Sequence, residues 1–423
     1  MDPVAVIGGG FSGVMTAVQL SRQGVPVRLL EQTELAGRGT AYGTRDPNHL
    51  LNVPVAKMSA WPDRPDDFRT WLKADGGDFA RRMDFGDYLA GVLADHPHVM
   101  VERGRVVAMD RVDAGWRLWL EDGRSFAASA AVLALGNELP AAVPGWEQLP
   151  MLGNPWSPAA QERLAQAAAN DETLLLIGTG LTMIDVMLSL DGAGFAGRAV
   201  AVSRRGQLPR AHAAHDPAPV ERSELPEVSL MALWQWLRRR SLEVGFRAAV
   251  DSLRPHSIAL WQGFSQEDRR RFLRHARPWW DVHRHRIAPQ VAGRVQAMVA
   301  EGRLEVVAGR LQQIAEGEVV IRTRRGSERR LRPSLVVNCT GPLGDPRRSA
   351  NPLLRALLEQ GAVEADELGL GLRTSDRDRA GHRLWAVGPL TKGMYWEMTA
   401  VPDIRGQAER IAVDIAKDLE LHG

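Results

Sequence analysis

The sequence is poor in cysteine. Cys339 is the only one among 423 residues, so the chain can form neither an intramolecular disulfide nor a metal site built from a cysteine cluster. Cys339 lies in an apolar run, residues 335–342, and has no second cysteine to resolve it, which predicts a buried thiol without a redox role. This cysteine usage is typical of a reducing compartment, and we expect a cytoplasmic protein.

Long apolar runs and an excess of one charge are also missing. No stretch approaches the roughly 18 apolar residues of a membrane span, and no basic segment precedes the first apolar run, so we expect neither membrane insertion nor secretion. The 53 basic and 51 acidic residues are scattered and leave a formal charge of +2, which argues against a nucleic-acid partner. Ordinary hydrophobic content, 44%, and the chain length favour two globular domains.

The most informative feature present is a glycine-rich turn near the N-terminus. Residues 4–7 are apolar and β-branched, as in a buried parallel strand, and Gly8, Gly10 and Gly13 follow in the spacing that lets a turn approach a pyrophosphate at a helix N-terminus. A second strand then ends on Glu31, where an acid accepts ribose hydroxyls. A glycine-rich helix cap is the alternative, but the full order of strand, turn, helix, strand and acid favours a dinucleotide site.

A second, less regular turn follows the apolar run at residues 172–177. Gly178 and Gly180 shape this turn, and Met183 stands where the third glycine is expected, which should loosen helix-strand packing more than phosphate contact.

The strand after the second turn, residues 199–202, ends on Ser203, Arg204 and Arg205 and carries no acid. A hydroxyl and two guanidinium groups can bind a 2′-phosphate, so this end favours NADPH over NADH. The alternative is that one or both arginines lie on a solvated loop.

One domain is predicted to be inserted into the other, because an apolar strand that runs into a glycine recurs at residues 130–137, 335–342 and 384–389. We expect an α/β fold with two Rossmann-type domains, the nicotinamide domain inserted into the flavin domain. The predicted bounds are 1–155 and 335–423 for the flavin domain and 156–334 for the nicotinamide domain, with a mainly helical insertion at about 216–300.

Several segments together resemble bacterial FAD/NAD(P)-binding oxidoreductases related to two-dinucleotide-domain flavoprotein monooxygenases. The resemblance covers nearly the whole chain and is carried by residues 37–44, 49–54, 58–59, 82–89, 284–286, 396–397 and 401–405. It implies FAD and NADPH as cofactors, a small-molecule substrate and oxygen as partners, and FAD-dependent urate hydroxylation, giving 5-hydroxyisourate, as a named candidate activity. The oligomeric state is not predicted.

The turns and the resemblance together give a set of expected cofactor-binding residues. These are Gly8, Gly10, Phe11, Ser12, Gly13, Glu31, Gln32, Arg38, Leu51, Asn52, Met58, Val106, Gly136, Gly178, Gly180, Ser203, Arg204, Arg205, Gly341, Gly388, Pro402 and Asp403. A helix beginning near Pro402 should offset negative charge on a reduced flavin, and we expect Asp403 to cap that helix and not to act as a base.

An aromatic and basic segment, residues 278–286, is the expected substrate or lid region. A planar anion could stack on an indole and pair with Arg284 or Arg286, and His285 and Glu397 are the acid-base candidates. The alternative is that the tryptophans form helix core and the arginines are surface or nicotinamide contacts. No metal site is expected, since no carboxylate or cysteine at close spacing completes a set with His283 and His285.

Three function classes stay open at this point. A monooxygenase needs reduced flavin beside oxygen in a site that excludes water, and the cofactor carries that chemistry without a protein nucleophile. An NADPH-dependent flavin reductase or oxidase is the first alternative. A flavin-bound sensor or assembly factor without turnover is the second.

Overall fold

A computed structural model describes residues 2–113, 115–143, 146, 149–227, 229–315 and 317–420. In chain order the described strands are β1 (Val4–Ile7), β2 (Val27–Glu31), β3 (Val99–Arg103), β4 (Val106–Val112), β5 (Gly115–Leu120), β6 (Ser125–Ala128), β7 (Ala131–Leu133), β8 (Met151–Leu152), β9 (Thr173–Ile177), β10 (Arg198–Ser203), β11 (Leu304–Ala315), β12 (Glu318–Thr323), β13 (Glu328–Leu331), β14 (Leu335–Asn338), β15 (Arg379–Gly381) and β16 (Leu384–Ala386).

The described helices lie between groups of these strands and after the last one. They are α1 (Phe11–Arg22), α2 (Gly39–Tyr42), α3 (Asp67–Leu72), α4 (Arg82–Ala94), α5 (Pro158–Ala169), α6 (Leu181–Gly192), α7 (Leu230–Ser252), α8 (Ser257–Gly263), α9 (Gln266–Arg271), α10 (Arg277–Arg284), α11 (Pro289–Ala300), α12 (Pro352–Glu359), α13 (Lys392–Tyr395) and α14 (Val401–Glu420). A π-helical turn, Phe272–Ala276, joins α9 to α10. None of these helices is both long and apolar enough to cross a membrane.

The first sheet has the strand order β15-β16-β7-β1-β2-β3 and is parallel except for the pair β15 and β16. Its central strand is buried on both faces, as parallel sheets usually are. Val4 and Val6 pack with residues of α1 and α14, whereas Ala5 and Ile7 face β4–β6 and α12. The alternation of side chains along β1 therefore builds both layers of the domain.

The second sheet has the order β13-β12-β11-β10-β9-β14-β8. Strands β8 to β11 and β14 pair in parallel, and β12 and β13 extend the edge as an antiparallel hairpin. Helices α5, α6 and α11 cover one face of this sheet. The α/β fold with two Rossmann-type sheets expected from the sequence is confirmed.

The chain crosses between the sheets at positions that differ from the predicted bounds. Strand β8, which precedes residue 155, and strand β14, which follows residue 335, both belong to the second sheet. The second unit therefore begins before 155 and ends after 338. The strand-to-glycine form is the same in both sheets, and only long-range pairing decides which sheet a strand joins.

The helical insertion is also shorter than predicted. Helix α11 packs in the core of the second sheet with α6 and is a crossover helix leading to β11. The insertion proper consists of α7 to α10, whose apolar residues form a separate cluster containing Trp261, Phe272 and Trp280.

Both glycine turns are built on the same close approach to a neighbouring strand. Gly8 has φ +108° and Gly178 has φ +117°, and a Cβ on either would overlap a carbonyl oxygen, that of Ala134 after β7 or that of Cys339 after β14. Cys339 itself is 3% exposed, and burial raises the pKa of its thiol. The expected buried thiol is therefore confirmed.

Gly178→Ala should lower the free energy of unfolding by about 2–4 kcal/mol, because the new side chain meets a backbone carbonyl at a φ that alanine rarely adopts. The matched control is Gly180→Ala in the same turn. Gly180 has φ −88° and open space where its Cβ would be, so this variant should stay within about 1 kcal/mol of wild type. Urea denaturation followed by circular dichroism measures both, and equal stabilities would contradict the packing argument.

Candidate active site

The first glycine turn has space for an anion beside Gly10. Helix α1 begins at Phe11, with Gly10 as its extended N-cap, and a Cβ on Gly10 would come no closer than 3.7 Å to the Gly39 Cα. A Cβ on Gly13 would instead overlap the Gly8 carbonyl, which is the tight helix-strand contact predicted for that position. Amide groups at such a helix N-terminus are suited to phosphate.

Glu31 lies at the end of β2, directly beside this turn. Its Oε2 accepts the Gly9 amide at 2.7 Å, and its Oε1 accepts the amide and hydroxyl of Thr33 at 2.8 and 2.9 Å. The neighbouring Gln32 side chain is exposed. Because a carboxylate offers about four acceptor positions, Glu31 is held rigidly and keeps capacity for a ribose hydroxyl.

Arg38 contributes an unused donor next to the turn. The Gly37 amide donates to the Gly9 carbonyl at 2.7 Å, which ties this loop to the turn. The Arg38 Nη2 pairs with Asp87 at 2.7 Å, while its Nη1 is buried without a hydrogen-bond partner in the described structure. A buried guanidinium N–H lacking an acceptor fits a pyrophosphate oxygen.

The motif segment after this loop joins the two nucleotide domains. Leu51 and Met58 are buried, and the Asn52 carbonyl accepts a hydrogen bond from the His212 Nε2 at 3.0 Å. Arg82 forms a buried ion pair with Asp185 of α6 at 2.8 Å. These expected flavin-segment residues therefore also fix the first domain against the second.

Four further expected flavin-site residues lie at the ends of strands β4, β7, β14 and β16. Val106 is buried in β4, and Gly136 follows β7. A Cβ on Gly388 would meet the Ser12 hydroxyl at 2.7 Å, so the turn after β16 abuts the start of α1. Gly341 follows β14 and therefore lies at the strand ends of the second sheet.

The turn at Gly178 and Gly180 and the end of β10 at residues 203–205 form the second nucleotide edge. Hydroxyl groups link these two parts. The Ser203 and Thr179 hydroxyls lie 2.9 Å apart, and Ser203 accepts the Gly206 amide at 3.0 Å. Met183, which replaces the third glycine, is fully buried in the core. Arg204 is exposed, so its role as a 2′-phosphate ligand stays a prediction.

Arg205 contacts the helical insertion. Its guanidinium lies 5.5 Å from the centre of the Trp279 ring, and its Nη2 donates to the His275 carbonyl at 3.2 Å. Trp279 belongs to the segment expected to be the substrate or lid region. The structure packs it against the second nucleotide edge.

Glu397 is the centre of a buried polar cluster. Its carboxylate is 6% exposed and accepts the Trp280 Nε1–H at 2.7 Å and the Arg284 Nε–H at 3.2 Å. Two of the expected acid-base and substrate residues, Arg284 and Glu397, are thus brought together as an ion pair. Both donors come from α10.

Asp403 and Arg254 extend this cluster. Helix α14 begins at Val401, so Asp403 lies within its first turn, and its carboxylate faces Arg254 at 3.7 Å. No hydrogen bond links the Asp403 side chain to a helix amide in the described structure, and the expectation of a cap is wrong. Its Oδ2 is buried without a hydrogen-bond partner there, and burial raises the pKa of Asp403.

Arg286 is not available to a substrate. It is 4% exposed, pairs with Asp251 at 2.9 Å, and donates to the carbonyls of His283 at 2.8 Å and Arg247 at 3.4 Å. Its role is to join α10 to α7. The expectation that it binds an anionic substrate is wrong, because its donors are already used by protein acceptors.

His285 stays an acid-base candidate. Desolvation, with Arg284 and Lys392 nearby, lowers the pKa of its imidazole, although the side chain is 39% exposed. Its nearest carboxylate is Asp281, with Nε2 3.8 Å from Oδ1.

Arg254 and Lys392 had no sequence signal, and Trp396 had only its place in a resemblance segment. Arg254 lies in a short helical turn without motif character, and burial, with Arg277 nearby, lowers the pKa of Lys392 to about 8. Trp396 has φ +50° in a tight turn in which the Glu397 amide donates to the Tyr395 carbonyl. Only Trp396 could have been found, since it precedes Glu397 in a resemblance segment.

Comparisons with known proteins bear on the first nucleotide site and on the fold. Residues 5–138 match a family model described as FAD-NAD(P)-binding, which confirms this character for the first part of the chain. No curated protein matches the sequence.

Solved structures share the fold over nearly the whole chain. L-lysine 6-monooxygenase from Pseudomonas syringae is 18% identical, with 99% of both chains covered and a TM-score of 0.66. Ornithine N-hydroxylase from Kutzneria sp. 744, solved with reduced FAD, NADP+ and L-ornithine, is 16% identical over 99% of this chain and 100% of its own, with a TM-score of 0.65. Bacillithiol disulfide reductase from Staphylococcus aureus is 14% identical over 99% and 98%, with a TM-score of 0.62.

Glu397→Gln should lower the free energy of unfolding by about 3 kcal/mol, because Arg284 would stay buried without its counter-charge. The matched control is Glu364→Gln, which breaks the exposed pair with Arg373 and should cost less than about 1 kcal/mol. Urea denaturation at pH 7 measures both, and a Glu397→Gln variant as stable as the control would rule out a structural role for the buried pair.

Proposed function

We propose that this protein is an FAD- and NADPH-dependent monooxygenase that hydroxylates a small molecule. The observation that carries the proposal is the position of α10 between the two nucleotide edges. Its adjacent residues Trp279 and Trp280 contact Arg205 at the second edge and Glu397 just before α14. Since α14 packs on α1 and Gly388 abuts Ser12, one short helix contacts residues at both edges.

The first nucleotide edge, formed by the turn at Gly8–Gly13 and the end of β2 at Glu31, fits FAD. The open face at Gly10, the unpartnered Nη1 of Arg38 and the fixed carboxylate of Glu31 supply donors for a pyrophosphate and an acceptor for a ribose. FAD, when bound there, supplies the two-electron and oxygen chemistry that side chains lack. The protein's own contribution is to bind, orient and exclude water.

The buried polar cluster is the proposed substrate site. Glu397 orients Arg284, while the Oδ2 of Asp403 is buried, faces the Arg254 guanidinium at 3.7 Å and has no hydrogen-bond partner in the described structure. Because buried acceptors are normally paired, a substrate N–H or O–H group is the natural partner, and the raised pKa of Asp403 suits it to take up a proton there. The similar lysine and ornithine hydroxylases favour an amine.

Urate stays a second test compound. Of the two arginines expected to pair with this anion, Arg286 is occupied by protein acceptors, which weakens the case for urate without removing Arg284. A dithiol mechanism, by contrast, requires two cysteines, and the chain has only Cys339. The likeness to disulfide reductases therefore concerns the fold.

The purified protein should be yellow and contain one FAD per chain, and Gly10→Asp should remove the flavin while leaving a folded chain, because its side chain and charge fill the phosphate face. Gly77→Asp, at an exposed glycine with open space, should keep full flavin content. Absorbance and circular dichroism measure flavin and fold. A colourless wild type that FAD cannot reconstitute would overturn the proposal.

A monooxygenase should consume NADPH and oxygen in equal amounts without releasing peroxide once its substrate is present, because a water-excluding site directs both into hydroxylation. The screen covers small amines, urate and other purines, and aromatic acids, with the flavin-free Gly10→Asp protein as background. Peroxide release without product would indicate an oxidase or reductase. No turnover with any electron acceptor would indicate a sensor or assembly factor, and either result would replace the proposed function.

A further inference from the structure

The helical insertion places an aromatic residue at the second nucleotide edge. Trp279 of α10 is 38% exposed although it is a large apolar side chain. Its ring is covered on one side by the Arg205 guanidinium, at 5.5 Å. No carboxylate of the described residues lies within ion-pair distance of Arg205, so its charge is held by an aromatic ring and not neutralised.

A local irregularity supplies the second contact to this arginine. The Arg277 amide donates to the Phe272 carbonyl in the π-helical turn before α10. Within this turn the His275 carbonyl accepts the Arg205 Nη2–H at 3.2 Å. Single π turns inside helices are frequent at functional sites.

We propose that Trp279 and the His275 carbonyl of the helical insertion hold Arg205 in place as the subsite for the 2′-phosphate of NADPH, so that the insertion contributes to recognition of the nucleotide. This proposal rests on the proposed function. The ring holds one face of the guanidinium, which reduces the side-chain entropy lost on binding and leaves N–H groups free for a phosphate.

Trp279 is thus a positioning residue that acts through Arg205. Its neighbour Trp280 serves the other edge, since its indole N–H donates to Glu397. The two functions are separable because adjacent side chains on a helix point in different directions. Replacing Trp279 alone therefore leaves the Glu397 cluster in place.

The test is the affinity of the flavin-loaded protein for 2′,5′-ADP and for 5′-ADP, measured by calorimetry. Trp279→Ala should weaken 2′,5′-ADP binding about 3- to 30-fold and 5′-ADP binding less than about 3-fold, the range expected for loss of a cation–π contact. Trp279→Phe should recover most of the affinity. Adding Trp279→Ala to Arg205→Ala should have no further effect on 2′,5′-ADP binding, because the tryptophan acts through the arginine.

The matched control is Trp119→Ala, since Trp119 is also 38% exposed but lies in β5 of the first domain. Trp119→Ala should bind both nucleotides as wild type does. A Trp279→Ala variant indistinguishable from this control would overturn the subsite while leaving the NADPH preference intact. A wild type that binds 2′,5′-ADP no better than 5′-ADP would instead overturn the NADPH assignment of the proposed function, and the subsite with it.

Discussion

The contact between a glycine and the carbonyl of a neighbouring strand governs both halves of the molecule. Gly8 lies against Ala134 and Gly178 against Cys339, in each case with a positive φ and no room for a Cβ. This contact brings the following helix close to the sheet and directs its amide N-terminus to the strand ends. The same local geometry therefore creates an anion-binding edge twice in one chain.

Glu397 anchors α10 between the two nucleotide edges. Burying a carboxylate is costly unless it is paired, and here both partners, Trp280 and Arg284, come from a single helix. The strained turn at Trp396 supports this arrangement. Its ring stacks on Trp261 with a centre distance of 5.0 Å and meets Phe272 edge-on, so packing in the insertion stabilises a conformation that the backbone disfavours.

The nucleotide edges could be predicted because their signals are local. Residues 4–22 and 173–192 carry strand, turn and helix in sequence, and the structure has these elements at those positions. The domain bounds could not be predicted equally well. Strand β8 is only two residues long, and β14 has the same apolar-to-glycine form as β7, so their membership in the second sheet depends on pairing with distant strands.

The roles of the basic residues also could not be predicted from local sequence. Arg284 and Arg286 are two residues apart and looked equivalent, yet one pairs with Glu397 and the other is used up by Asp251 and backbone carbonyls. Asp403 resembled a helix cap, yet α14 starts early enough to turn it towards Arg254.

By itself the sequence determined the two glycine turns, the strands that precede them and the α/β class, because hydrophobic periodicity and the demands of a tight turn act over a few residues. Only the tertiary structure decided which strand joined which sheet and that α10 contacts both nucleotide edges. It also decided that the Arg38 Nη1 stays without a hydrogen-bond partner in the described structure. Those outcomes depend on burial and on partners far apart in the chain, such as Trp280 and Glu397.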